Sequence, residues 1–358
     1  MTYPQPPPPP EPRPLDAAQT IAPALRYMWA MLTRPFSLRK WLALSLVALL
    51  AGMVGNFSMP SGGGDWSGDG NAEDLGPYLA PLAQWASENV GLLVGLGVLL
   101  LLLTLAGVYL AAVFRFIFLD SVARNRVAMK RAFAENWDRG LSLFLWNIGM
   151  TFAMIIVICL ALALTILPFV GLWNGGVSTG LAIGLSILLG LFFLLLWLLL
   201  ILALAVISVA LADFVLPVMY LEDLGIWAAW GRTIALIRRQ LGAFALYFLL
   251  KVPVAIAANL AAGLLGLAGI VVAAIPVGII ALIVYLVGTA AHVAWAWTQV
   301  TIFLAVFCGG VALVWLVYAA TCASLPVPVF RQAWALWFLG ERDRRLAVLR
   351  PPAPAPGM

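Results

Sequence analysis

The stretch FLDSVARNRVAMKRAFAENWDRG, Phe118 to Gly140, is rich in arginine and lies between two long apolar runs. Taken alone, a basic segment of this kind suits a nucleic-acid face, a membrane-surface helix or part of a catalytic loop. Its surroundings decide among these. The 358-residue chain is 64% apolar and 10% charged, with a mean hydropathy of +1.05, whereas about a quarter of the residues of a soluble domain are charged. The composition is that of an integral membrane protein, so the basic stretch is a connector between membrane spans. A nucleic-acid partner is not expected.

Charge placement orients the chain. No Lys or Arg occurs in 41–114, 140–230 or 252–330, so all 20 basic residues fall at the N-terminus, in 115–139, in 232–251 or from Arg331 onward. The segment 58–89 carries Asp65, Asp69, Glu73, Asp74 and Glu88 and no base. Basic loops stay inside. The expectation is therefore a bacterial cytoplasmic (inner) membrane protein with both termini cytoplasmic and loop 58–89 outside. The proline-rich residues 1–14 lack the apolar core and cleavage site of a signal peptide and read as a disordered N-terminus. A single helical membrane domain should fill 15–340, followed by a basic, proline-rich tail over 341–358.

A span needs about 20 apolar residues. Runs bounded by charge or by Gly and Pro predict spans near 40–57, 90–114, 141–167, 177–212 and 243–270. From Val252 to Phe330 there is no charged residue at all, so hydropathy alone cannot divide that region. A cytoplasmic C-terminus requires an even number of crossings, which places a sixth span near 300–325. The surplus from Ala274 is then a helix extension or a re-entrant piece. The run 177–212 would be on the order of 54 Å long as a helix, well beyond a hydrocarbon core of about 30 Å. The pairs Gly91/Gly95 and Gly180/Gly184 are spaced for close helix approach.

A repeat also runs through the chain. Laying Gly140 on Gly242 aligns an apolar approach ending in Leu119-Asp120 with one ending in Leu221-Glu222, each followed by a basic stretch, a glycine and a new span. Leu15-Asp16 occupies the same place one interval earlier, so the period is about 102 residues and the units number three. Helical spacing gives the connectors apolar faces: Ile21, Leu25, Met28, Trp29 and Leu32 in the first, and Ile226, Trp227, Trp230, Ile234 and Ile237 in the third. The fold class is thus all-α: a polytopic bundle of about six transmembrane helices with amphipathic cytoplasmic connectors. The segments FRFIFLDSVARNRV with ENWDRGLSLF, DFVLPVMYLED, and LPVPVFRQAWALWFL resemble uncharacterised bacterial membrane proteins related to the membrane domain of glycerophosphoryl diester phosphodiesterases. That resemblance implies a six-span helical domain. No soluble α/β region is present to hold the phosphodiesterase catalytic domain.

Catalytic chemistry finds little support. His292 is the only histidine, which excludes His-pair catalysis and multi-His metal sites. Cys159, Cys308 and Cys322 lie in apolar runs without paired spacing. No phosphate-binding loop, nucleophile elbow or other catalytic motif occurs, so no enzyme activity and no cofactor is expected. Lys251 is the charge most out of place, because an ionisable group inside a span needs a partner or a route to water. Asp213, at the inner end of the preceding span, is the candidate partner. Polar residues inside spans, such as Asn147 and Asn259, form no continuous file. The reading is a membrane scaffold or accessory module that binds lipids or protein partners, with a transporter of a small solute or lipid as the alternative. Arg124, Arg126, Lys130, Arg131, Arg232, Arg238 and Arg239 are the candidate contacts to anionic inner-leaflet lipids.

Overall fold

A computed structural model of the chain describes residues 16–52, 84–126, 129–174, 178–290 and 299–349. The N-terminal stretch 1–14, the acidic segment up to residue 83, His292 and the tail from Arg350 lie outside the described residues. So does the side chain of Lys130.

Every regular element among the described residues is helical. Helix α1 (Ile21–Thr33) is followed by α2 (Leu38–Leu50), α3 (Val90–Arg124), the short α4 (Met129–Glu135) and α5 (Trp137–Asn174). Then come α6 (Thr179–Ala210), a π-turn (Leu211–Val215) and α7 (Leu216–Leu221), which continue one another, and α8 (Ile226–Arg239). The chain closes with α9 (Leu241–Ala290), α10 (Gln299–Ser324) and α11 (Pro326–Arg342). Five of these stretches are long and apolar enough to cross a membrane: α3, α5, α6 with α7, α9 and α10. The molecule is a polytopic helical membrane protein. The surplus beyond residue 270 is a helix extension, since α9 runs unbroken for 50 residues through Pro253 and Pro276.

Helix stops have local causes. Asn125, at φ 54°, ends α3 in the left-handed conformation that short polar side chains tolerate. Helix α2 begins where the Ser37 side chain accepts from the Lys40 N–H, and it stops at Gly52, at φ 67°. With 13 residues it reaches about 20 Å, short of the hydrocarbon thickness. The described residues therefore carry five candidate spans, not six. The expected first span is described only as far as Gly52; its remainder, residues 53–57, lies outside the described residues. Lys40 meets Asn125 and Ala51 meets Arg115, so α2 runs antiparallel to α3. On its other side Trp41 donates to the Cys322 carbonyl on α10.

The order of short helix then long apolar helix occurs twice, as α4–α5 and α8–α9; α1 is followed by the equally short α2, and α11 follows α10. The basic ends of the long helices and the short helices between them share one core. It takes Phe116, Ile117, Phe118 and Leu119 from the end of α3, Phe214 and Val218 from the π-turn and α7, and Phe244 and Tyr247 from the start of α9. Trp334 and Phe338 of α11 complete it. Away from this base the spans hardly bury each other; Leu100, Leu101, Leu102 and Leu103 are all more than half exposed. Residues 341–349, expected in the tail, belong to the base, because Leu346 and Leu349 are buried.

The buried connector faces agree with the expected ones in part. Helix α8 buries Ile226, Ala229, Thr233 and Leu236, while Trp227 is 76% exposed and Ile234 also faces outward. Helix α1 buries Ala24, Met31 and Leu32 and exposes Leu25 and Trp29. Ile226, Trp230 and Ile237 of α8 and Ile21, Met28 and Leu32 of α1 pack on the base as expected, and the other two residues of each expected face are left at its rim.

Close helix approach occurs at glycines other than the expected pairs. A Cβ on Gly140 would lie 2.3 Å from Val113 Cγ2, and one on Gly269 would lie 2.8 Å from the Ala319 carbonyl oxygen. Gly91, Gly95, Gly180 and Gly184 have nothing within 4 Å of such a Cβ.

Candidate functional site

The base gathers the buried charge of the described residues. Lys251 and Asp213, 6% and 9% exposed, meet with Nζ 2.5 Å from Oδ2. Tyr247 donates to the same oxygen at 2.9 Å. The ammonium also stands 5.7 Å and 5.5 Å from the ring centroids of Tyr247 and Trp334, a distance at which an aromatic face attracts a cation. Lys251 does not reach to the water edge; it is held by its partner.

The local sequence explains how Asp213 comes to face it. Pro217 has no N–H, and its ring would press on the carbonyl four residues earlier, which is that of Asp213. The helix answers with a π-turn over Leu211–Val215, in which the Leu216 N–H reaches back to the Leu211 carbonyl. A π-turn adds one residue to a helical turn and re-aims the side chains within it.

A second polar group joins four elements. Tyr220 of α7 donates to Asp120 of α3, and Arg124 Nε stands 2.8 Å from the same carboxylate. Arg139 of α5 holds Asp223 at 2.5 Å and donates to Asn136 at 2.9 Å, with its guanidinium 5.6 Å from the Tyr220 ring centroid. Glu135 of α4 accepts from Arg131 at 2.6 Å, and this hydrogen bond holds its carboxyl below the usual range. Arg124, Glu135, Arg139 and Tyr220 line a cavity of about 410 Å³.

A third group fastens the C-terminal segment. Arg232 of α8 donates to both oxygens of Glu222 at 3.2 Å and stands 2.5 Å from Asp343.

Among the arginines expected at a lipid surface, Arg126, Arg238 and Arg239 are exposed. Arg124 and Arg131 are exposed too, and pair with carboxylates on their own helices. Arg232 is turned inward, because two carboxylates converge on it. The carboxylates Asp213, Glu222 and Asp223 each have a basic partner, so they form no cation site. No group of three or more potential metal ligands occurs among the described residues. Tyr247, Trp334, Tyr220, Asp120 and Arg139 escaped the sequence reading as site residues.

Two apolar hollows flank these groups. One, of about 740 Å³, lies between α5 and α8 and is walled by Trp146, Gly149, Ala153 and Trp227. The other, of about 1140 Å³, lies between the far parts of α5 and α6, against Leu172, Leu188 and Phe192.

One family model matches residues 15–349, from the turn before α1 to the last buried leucine of the base. The chain belongs to the DUF7544 family. This is a family of unknown function, and its span coincides with the described fold, the segment after α11 included. No curated protein and no solved structure matches this DUF7544 chain.

Proposed function

We propose that this DUF7544 protein is a non-enzymatic scaffold or accessory module of the bacterial inner membrane, binding anionic inner-leaflet lipids, and protein partners beside them, at its basic end. In this reading the base lies at the cytoplasmic surface and both termini face the cytoplasm. One observation carries it: exposed Arg238 and Arg239 on α8 and Arg126 before α4 sit on the same end as exposed Trp227 and Ile234. Cations beside bulky apolar side chains suit a headgroup layer, where apolar groups enter the lipid and guanidiniums meet phosphates. A transporter is the second reading, favoured by the π-turn that carries Asp213 against Lys251 within the spans.

Native mass spectrometry of the full chain, released from membranes containing phosphatidylglycerol, tests the first reading. The expected result is retained anionic lipid that is lost when Arg126, Arg238 and Arg239 are all changed to Gln. Unchanged retention overturns it, and solute flux into proteoliposomes that depends on Lys251 would establish the second.

A further inference from the structure

The exposed sides of α1 and α8 sit at different depths. On α3 the largely exposed apolar run from Val90 to Leu110 is on the order of 30 Å long, enough by itself to fill a hydrocarbon core. Trp227 of α8 packs edge-to-face on Trp146, the neighbour of exposed Leu145 on α5, and so lies near the edge of that core. Helix α1 reaches farther out. Tyr27 meets Val122 and Lys40 meets Asn125, positions about 18 Å and about 22 Å beyond Leu110 along α3. A headgroup layer is only about 6 Å deep. In the placement proposed above, the outward side of α1 and of its turn into α2 therefore stands beyond the lipid, in water.

That side has the make-up of a protein interface. Trp29, Phe36 and Leu38 are 65%, 64% and 62% exposed, and bulky apolar groups left in water mark a contact surface. Arg26, Arg34 and Arg39 stand among them, exposed and paired with no carboxylate among the described residues. Aromatic side chains and arginine are the types enriched where proteins meet. The backbone beneath is fixed in advance: α1 buries Ala24, Met31 and Leu32, the Ser37 side chain caps α2, and Phe36 lies against Trp41 with ring centroids 5.9 Å apart. We infer that this surface docks a cytoplasmic protein, or the cytoplasmic part of one, that sets carboxylates around an apolar contact. The inference rests on the proposal above only in placing the base at the cytoplasmic surface. Charge selects the occupant, since guanidiniums without counter-ions favour carboxylates across an interface. A second copy of the chain would bring the same three arginines against them.

The test places the photocrosslinking residue benzoylphenylalanine at Trp29, Phe36 or Trp227 of the full chain in its native membranes. Positions 29 and 36 are expected to give protein adducts and no lipid adducts, and position 227 lipid adducts. Arg26→Glu, Arg34→Glu and Arg39→Glu together should lower the protein adducts about ten-fold or more, while the change of Arg126, Arg238 and Arg239 to Gln should leave them in place. Changing the partner carboxylates nearest the adduct to Arg should restore crosslinking to the reversed chain. That exchange, rather than capture alone, establishes the docking. Lipid adducts at positions 29 and 36, adducts confined to the chain's own residues 1–15 or to a second copy, no protein adduct, or crosslinking indifferent to the charge reversal overturns it. Absence of lipid adducts at position 227, with the expected results at 29 and 36, sinks the anionic-surface reading and sustains this one.

Discussion

The two ends of α3 share one helix and follow different rules. Toward the basic end, residues from Ala112 to Val122 are largely buried against α2, α5, α7 and α11. Toward the other end, Val90 to Leu103 are almost all exposed apolar residues. In the proposed placement the base has water beside it, so burying Phe116 and Phe118 removes apolar surface from water and stabilises the packed state. Lipid is as apolar as leucine, and the far ends gain little from touching one another. What packing occurs along the spans follows close contact at small residues and a few polar bonds, such as the Trp315 N–H to the Ala273 carbonyl between α10 and α9.

That contrast sets the size of several mutational effects. The largest belongs to the buried pair: Lys251→Met leaves Asp213 charged and unpaired, which should cost about 3–5 kcal/mol in reversible unfolding. Adding Asp213→Asn should recover part of the loss; strictly additive losses would show that the contact is not energetically coupled. Next comes Gly140→Leu, which must displace Val113 in the base and should cost about 1–3 kcal/mol. Gly184→Leu, in the lipid-facing part of α6, should leave thermal stability unchanged. Equal effects at the two glycines would erase the distinction between the ends.

The smallest effect tests burial at the base through pH. Tyr27 of α1 donates to the Val122 carbonyl at 2.6 Å, and burial pushes its hydroxyl up to about 12 from an ordinary 10.0. The folded state thus keeps a proton that the unfolded chain releases. This contribution is complete below pH 10 and is lost as pH rises from 10 toward 12. Tyr27→Phe should cost about 1 kcal/mol at pH 8 and flatten the fall in melting temperature above pH 10. An unchanged slope would place the hydroxyl in contact with solvent.

The long spans were legible because a membrane demands length and apolarity, both linear properties of sequence. Lys251 and Asp213 were legible as partners because each is a lone charge near the same end of adjacent spans. Helix approach was not legible from glycine spacing. The pattern at Gly91 and Gly95 says two small residues share a face, but not whether that face meets a neighbour. Gly140, with no such pattern, lies where α3 and α5 converge. The buried face of α8 was misplaced in part, at Trp227 and Ile234, for a related reason. Bulky apolar residues dominate a periodicity count, yet Ala229 and Thr233 fit the crowded interior and Trp227 does not. The short α2 was missed because its apolar run continues to Val54, while Gly52 turns the backbone.

The pairing of the first and last helices has a consequence for biosynthesis. Trp334 of α11 donates to Thr20 and lies against Tyr247, so the largest buried side chain of the base comes from the last α-helix of the described residues. Spans can enter the membrane as they emerge, each satisfying its own backbone. The base cannot close around Ala17 and Thr20 until α11 has left the ribosome. Until then α1 has its contact with α3, through Tyr27 and Val122, but not the indole of Trp334, 314 residues beyond Thr20.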